Sequence, residues 1–405
     1  MGYLSLRDAT TSVKNVLNSA MIRCEKLRHL TAKKILNTAV NTIEAKLQLS
    51  TVHSLPQNVD VVLTTKCNLA CVFCKTYDTL GAQYLSIENF EKVARQLFPT
   101  TRLLSICSGG EPYLHKGLED VLRIARRYRV PTWVLSNGML LKEERMRTIV
   151  REELISQHGF SVDGINSSTV EAIRLNAKLD RILKNIKMLI SIREDEGKKE
   201  PTIVIRYILM RCNIEELPDA IRHWGDIGID VIDCNYLSLC NDIDEQESLY
   251  FHQDLMEEVF AKAQQVAVDY PRLVLNLPLT IRQQQALQNK PRNCESLWNF
   301  VCINADGQVF PCYCTLGVLN MGNIFDEQQS FKKIWNDPRY QGLRRTANND
   351  TLKKHYAYCS VCETRFGWGN LEVHLGDETW LKRLPLDEEK KARVIAKRRR
   401  KGKAR

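Results

Sequence analysis

Three cysteines in the stretch TTKCNLACVFCKTYD, Cys67, Cys71 and Cys74, stand three and then two residues apart, with no fourth nearby. Thiolates so spaced suit a soft metal centre, yet a structural zinc site closes with four protein ligands and an ordinary cubane iron–sulfur cluster takes four thiolates. A cubane held by three leaves one iron open to a small bidentate chelator. A second set of thiols follows Arg292: Cys294, then twelve residues to Gly307, four more to Cys312, and far downstream Cys359 and Cys362 in YCSVCE. Asp306-Gly307 in NADGQVFPC reads as a hairpin turn between short strands. A hairpin bearing Cys312 and a later CxxC can cage a second cubane, while the spacing alone also fits a zinc ribbon.

These residues need a frame. At 405 residues the chain exceeds one ordinary domain and suits a β/α barrel with an appendage. Fourteen cysteines without a signal-peptide layout point to metal binding in a reducing compartment, so a cytoplasmic protein is expected. The longest apolar runs, such as TIVIRYILM (202–210), are too short to cross a bilayer. Residues 390–405 hold ten of the 58 Lys and Arg residues and no acid, so the other 48 balance the 48 Asp and Glu. Such a tail could touch nucleic acid or anionic lipid, but it lacks the interleaved aromatics of a stacking platform and reads as a solvated terminus.

Residues 1–50 read as helical and basic, with Ala20, Met21, Cys24 and Leu27 along one side; docking on the domain is expected ahead of an interfacial membrane role. HSLPQN (53–58) closes this segment. From Val59 on, strands are expected near 59–64, 103–107, 131–136, 158–162, 202–210 and 229–237, and helices near 86–97, 116–128, 141–151, 179–194, 214–225 and 249–268. Alternation of this kind implies parallel βα units, and six of them imply an open, partial barrel. The expected divisions are a helical segment (1–58), a barrel (59–270), a small hairpin and helix domain (290–370) and a basic tail (382–405).

In parallel βα folds ligands sit at the C-terminal ends of the strands. The three-cysteine loop follows the first strand, SGGEP (108–112) the second, SNG (136–138) ends the third and SVDG (161–164) the fourth. With Phe73 before the last cysteine, this set resembles the radical S-adenosylmethionine (SAM) superfamily over residues 59–240. The resemblance implies a partial (β/α)6 barrel in which Cys67, Cys71 and Cys74 hold a catalytic [4Fe-4S] cluster and S-adenosyl-L-methionine fills its open corner. It further implies cofactor contacts at Phe73, Gly109, Gly110, Glu111, Ser136, Asn137, Ser161 and Asp163, with Gly109 and Gly110 admitting the cofactor's amino group and Glu111 accepting its hydrogen bond. The reaction so implied is reductive cleavage of S-adenosylmethionine to a 5′-deoxyadenosyl radical that abstracts a substrate C–H hydrogen.

The second set resembles the SPASM extension and its single-cluster form, twitch. That implies one auxiliary [4Fe-4S] cluster held by Cys294, Cys312, Cys359 and Cys362. Cys302 and Cys314 flank the hairpin and are read as buried thiols, with a further cluster or hydrogen-atom donation as the alternatives. Cys24, Cys107, Cys212, Cys234 and Cys240 are read as core residues. An auxiliary cluster with no free iron suits electron transfer, so oxidation of a carbohydrate, cyclitol or other small metabolite is the main expectation. The alternatives are modification of a ribosomally made peptide and a non-catalytic iron–sulfur scaffold. An external one-electron reductant such as flavodoxin or ferredoxin is implied.

Overall fold

A computed structural model of the chain describes residues 29–74, 83–238, 243–287, 294–317 and 319–347. Every strand expected from the sequence is present: β1 (Asn58–Val61), β2 (Leu103–Ile106), β3 (Thr132–Ser136), β4 (Gln157–Ser161), β5 (Thr202–Leu209) and β6 (Val231–Tyr236). Three more follow, β7 (Val274–Asn276), β8 (Phe300–Ile303) and β9 (Val309–Phe310). The nine form one sheet in the order β9-β8-β1-β2-β3-β4-β5-β6-β7, parallel throughout except for the β8–β9 hairpin.

The helices up to residue 267 are α1 (Ala32–Lys46), α2 (Ile87–Leu97), α3 (Leu118–Arg127), α4 (Glu143–Arg151), α5 (Ser167–Ile173), α6 (Leu179–Asp195), α7 (Leu217–Ile227) and α8 (Gln253–Ala267). Local signals set their ends. Ser86 caps α2 by accepting from the Asn89 N–H, and Gly228, at φ +92°, closes α7 in the left-handed conformation that glycine adopts without penalty. In β5, Ile203, Ile205, Tyr207 and Leu209 are buried, as are Trp224 of α7 and Phe90 of α2. Each such side chain contributes roughly 1.5–3 kcal/mol of burial.

The β8–β9 hairpin is joined to the rest of the sheet more intimately than its place in the sequence suggests. β8 pairs in parallel with β1, from Asn58↔Phe300 to Val61↔Ile303. As the first barrel strand, β1 would otherwise leave an edge of unpaired N–H and C=O groups, and β8 satisfies them. The N-terminal residues Ala20, Met21, Cys24 and Leu27 lie outside the described residues, but α1 does dock on the domain. Of the cysteines read as core residues, Cys234 is buried, but Cys212 is exposed, because it sits in the turn after β5 with its N–H donating to Glu247. Cys107 is half-buried at the end of β2; Cys24 and Cys240 lie outside the described residues.

One buried pair predicts a pH response. The Tyr113 hydroxyl lies 2.8 Å from Nε2 of His158 on β4, and burial pushes the imidazole down to about 3. An unfolded histidine titrates near 6.5. Below that pH the unfolded chain takes up a proton that the folded one refuses, so stability is lost as pH falls through this window. At pH 5 the loss is about 2 kcal/mol from this residue. In urea melts at pH 7 and pH 5, His158→Leu is expected to lack that increment relative to the unaltered chain; an equal pH dependence in both would refute it.

Candidate active site

The loop after β1 is held by bonds from backbone groups to its carbonyls and to one of its sulfurs. The N–H of Leu69 donates to the Cys67 sulfur at 3.4 Å, and that of Cys74 to the Cys71 carbonyl at 3.2 Å. Ala70–Cys71 forms a two-residue antiparallel ribbon with Arg174–Leu175, pairing Cys71 with Arg174. Through it the buried Arg174 lies with Nη1 3.7 Å from the Cys71 sulfur, its guanidinium over the Phe73 ring at 5.3 Å, and Nε 2.7 Å from Oδ2 of Asp163. Burial pushes the Cys71 thiol up to about 11 despite the pull of Arg174. A thiolate is stable here only when a metal supplies positive charge, and donors already face two of the sulfurs; both facts fit an iron–sulfur cluster. Among the described residues no three Cys, His, Asp or Glu converge on a single ion. A cubane does not need that, since each thiolate takes its own iron.

SGGEP is stapled to this loop. The N–H of Gly110 donates to the Thr64 carbonyl at 2.7 Å and that of Glu111 to the Lys66 carbonyl at 2.8 Å. A Cβ on Gly110 would fall within the Lys66 peptide, and one on Gly109, at φ +87°, against Val62 and the Thr64 carbonyl. The missing side chains therefore admit the backbone of the cysteine loop itself. Glu111, 2% exposed, ties this turn to β3: Oε1 accepts from Ser136 Oγ at 2.8 Å and from the Tyr113 N–H, and Oε2 from the Asn137 N–H at 2.8 Å. Burial pushes its carboxyl up to about 7. Asn137 in turn reaches Asn68 at 2.9 Å and the Cys67 sulfur at 3.7 Å. Three of the four expected loops thus interlock around the first cysteine.

The fourth loop meets the ribbon through Asp163. Asp163 is fully buried, accepting from the Ile208 N–H at 2.9 Å and pairing with Arg174. It acts on Cys71 at one remove. Ser161, also buried, closes β4 beside it. Arg174 was not singled out from the sequence, where no motif marks it. Asp60 was also missed, though an acid inside the apolar strand NVDV is a legible signal. Fully buried, it faces Cys302 across the β1–β8 pairing, with the Cys302 sulfur 3.3 Å from Oδ2, and burial pushes it up to about 6. This accounts for Cys302 as a buried thiol.

In the second set, Gly307 at φ +86° makes the expected hairpin turn, where a Cβ would collide with Phe325 and Asn323. Cys294 and Cys312 are half-buried; Cys359, Cys362 and the Cys314 side chain lie outside the described residues. The turn is tied to the catalytic loop: Gln83, bonded through its backbone to Thr65, donates to Asp306 at 3.2 Å and accepts from Asn304 at 3.1 Å. Across the sheet, the Trp133 ring occupies the place a side chain on Gly159 would take, and Arg206 lies over it at 5.9 Å while pairing with Asp233 at 2.8 Å. The pair is about a quarter exposed on both sides.

Comparison with known proteins places these features. Residues 61–233 match the radical SAM superfamily and residues 294–363 an iron–sulfur cluster-binding domain, SPASM. The antilisterial bacteriocin subtilosin biosynthesis protein AlbA of Bacillus subtilis is 25% identical over 297 residues, covering 70% of this chain. The chain spans 60% of AlbA's length. A tungsten-containing aldehyde ferredoxin oxidoreductase cofactor-modifying protein of Pyrococcus furiosus is 23% identical, covering 80% of this chain and 95% of its own. The crystal structure of Streptococcus suis SuiB bound to precursor peptide SuiA shares the fold, with a TM-score of 0.59 and 17% identity over 76% of this chain and 71% of SuiB.

Proposed function

We propose, from the premise that the chain belongs to the radical SAM superfamily and carries a SPASM iron–sulfur domain, that it modifies a ribosomally made peptide at an unactivated C–H bond. The carrying observation is the similarity to AlbA, whose name places it in bacteriocin biosynthesis. It favours the peptide alternative over the small metabolite that was the main expectation. SuiB, solved with its precursor peptide, supports the reading through fold alone. The Pyrococcus relative, named for cofactor modification, keeps a small-molecule substrate as the second reading.

When bound, the cluster and S-adenosylmethionine supply a 5′-deoxyadenosyl radical able to abstract an inert hydrogen. The residues of this chain provide the setting. Cys67, Cys71 and Cys74 would hold the catalytic cluster. Glu111 locks the glycine turn to Ser136 and Asn137, so that the loops facing the cofactor are rigid before it arrives. Arg206, Asp233 and Trp133 offer a donor, an acceptor and a ring face to a peptide backbone or side chain. Cys294, Cys312, Cys359 and Cys362 would hold the auxiliary cluster, which suits removal of an electron from the substrate.

Anaerobic reconstitution should give about eight irons per chain, from two cubanes. With dithionite and S-adenosylmethionine, 5′-deoxyadenosine should form. Adding synthetic peptides encoded beside the gene should yield a product of altered mass. About four irons would demote the second set to zinc or structure, and about twelve would bring Cys302 and Cys314 in as ligands. Deoxyadenosine formation that no peptide stimulates, but a sugar or cofactor precursor does, would replace the peptide reading with the second one.

A further inference from the structure

Helix α1 is turned inside out. An ordinary surface helix buries its apolar stripe and leaves polar residues in water. In α1 the buried positions are Lys34, Asn37, Asn41 and Glu44, which lie three, four and three residues apart and so form one face. Each is satisfied. Lys34 Nζ donates to the carbonyls of Tyr128 and Arg129 at 3.0 and 2.6 Å, Asn37 exchanges two bonds with the Leu55 backbone, Asn41 donates to the Trp298 carbonyl, and Glu44 accepts from the N–H groups of His53 and Ser54.

The opposite face carries Ile35, Leu36, Ile43 and Leu47, with Leu49 just beyond, all between 40% and 66% exposed. A contiguous apolar stripe of this kind marks a docking surface. The exposed positions of α1 include two charges, Lys33 and Lys46, and no acid. Apolar residues flanked by lysines are the pattern of a helix that lies in a membrane interface.

We propose that α1 seats this chain on an anionic bilayer, with Ile35, Leu36, Ile43 and Leu47 in the headgroup boundary and Lys33 and Lys46 against lipid phosphates. Both ends of the chain carry matching charge: residues 1–28 hold five Lys or Arg against two acids, and residues 390–405 hold ten against none. A second copy is a poorer occupant, because pairing two α1 faces brings lysines together with no carboxylate to meet them. The docking partners of α1 all precede strands: Leu55 precedes β1, Tyr128 and Arg129 precede β3, and Trp298 precedes β8. The cysteine loop follows the C-terminal end of β1. Anchoring through α1 therefore leaves the active-site end of the sheet facing away from the lipid.

Co-sedimentation of the reconstituted full chain with vesicles tests this. The chain should pellet with vesicles of mixed phosphatidylglycerol and phosphatidylcholine, and about tenfold less with phosphatidylcholine alone. The double variant Ile43→Glu, Leu47→Glu should lose binding by about tenfold or more, with melting temperature and deoxyadenosine formation unchanged. Removal of residues 390–405 should weaken binding without abolishing it. The proposal is overturned if the unaltered chain stays in the supernatant, if the double variant still pellets, if tail removal abolishes binding, or if the chain is a dimer that the double variant converts to monomer.

Discussion

Gly110→Ala is expected to lower 5′-deoxyadenosine formation by more than about a hundredfold, the scale on which an ångström of misplacement acts. A Cβ at this position would lie within the Lys66 carbonyl group, with the Lys66 nitrogen at 2.7 Å. The obstacle is backbone, so no rotamer change relieves it. The turn must lift away, breaking the Gly110 and Glu111 bonds to Thr64 and Lys66. Glu111 would then leave the N–H of Asn137 and the hydroxyl of Ser136, and Lys66 is the residue next to Cys67. One methyl group thereby displaces Cys67 and the third-strand loop together. Gly342→Ala is the matched control: it sits within the helix Pro338–Thr346 with nothing within 4 Å of an added Cβ, and should stabilise by up to about 1 kcal/mol. Iron content and deoxyadenosine should both fall in the first variant and neither in the second. A Gly110→Ala protein with full iron and ordinary turnover would show that the staple does not position the site.

The alternation of strands and helices was legible because each βα unit writes its own period. β5 needs eight residues of mostly apolar sequence, and α7 needs its left-handed Gly228. The four loops were legible from position alone, since strand ends gather in a parallel sheet. What the loops do for one another was not. SGGEP was read as facing a cofactor; that its glycines also make room for the Lys66 and Thr64 backbone was not foreseen. Asp163 was read as a contact, and its pairing with Arg174 was not foreseen. Arg174 reaches Cys71 across 103 residues through a ribbon two residues long, too short to leave a periodic trace. The polar docking of α1 was hidden for a similar reason. Its partners are mainly backbone groups, which every sequence has and none advertises. The pairing of β8 with β1 depends on an open sheet edge, a property of the assembled barrel rather than of either segment.

Arg174→Leu should cost about 3–5 kcal/mol of stability, because it strands a carboxylate. Asp163 has no exposed surface, and the guanidinium 2.7 Å away is its counter-charge. The same substitution removes the donor facing the Cys71 sulfur, so reconstituted iron should drop toward the roughly four atoms of one auxiliary cubane. Cys71→Ala should also lose the catalytic cluster and all deoxyadenosine formation, yet it leaves the Asp163–Arg174 pair intact and so should melt close to the unaltered apo chain. The two losses are separable by a third variant. In Asp163→Asn, Arg174→Leu the buried charge is gone along with its partner, and most of the stability should return while the cluster does not. Arg174→Lys should fall between, keeping a charge for Asp163 but giving up the guanidinium over the Phe73 ring and the fork that reaches both acid and sulfur. If the double variant is no more stable than Arg174→Leu, the ion pair is not what holds this corner of the site. If it regains a full cluster as well, Cys71 needs no donor from Arg174, and the ribbon alone positions the ligand.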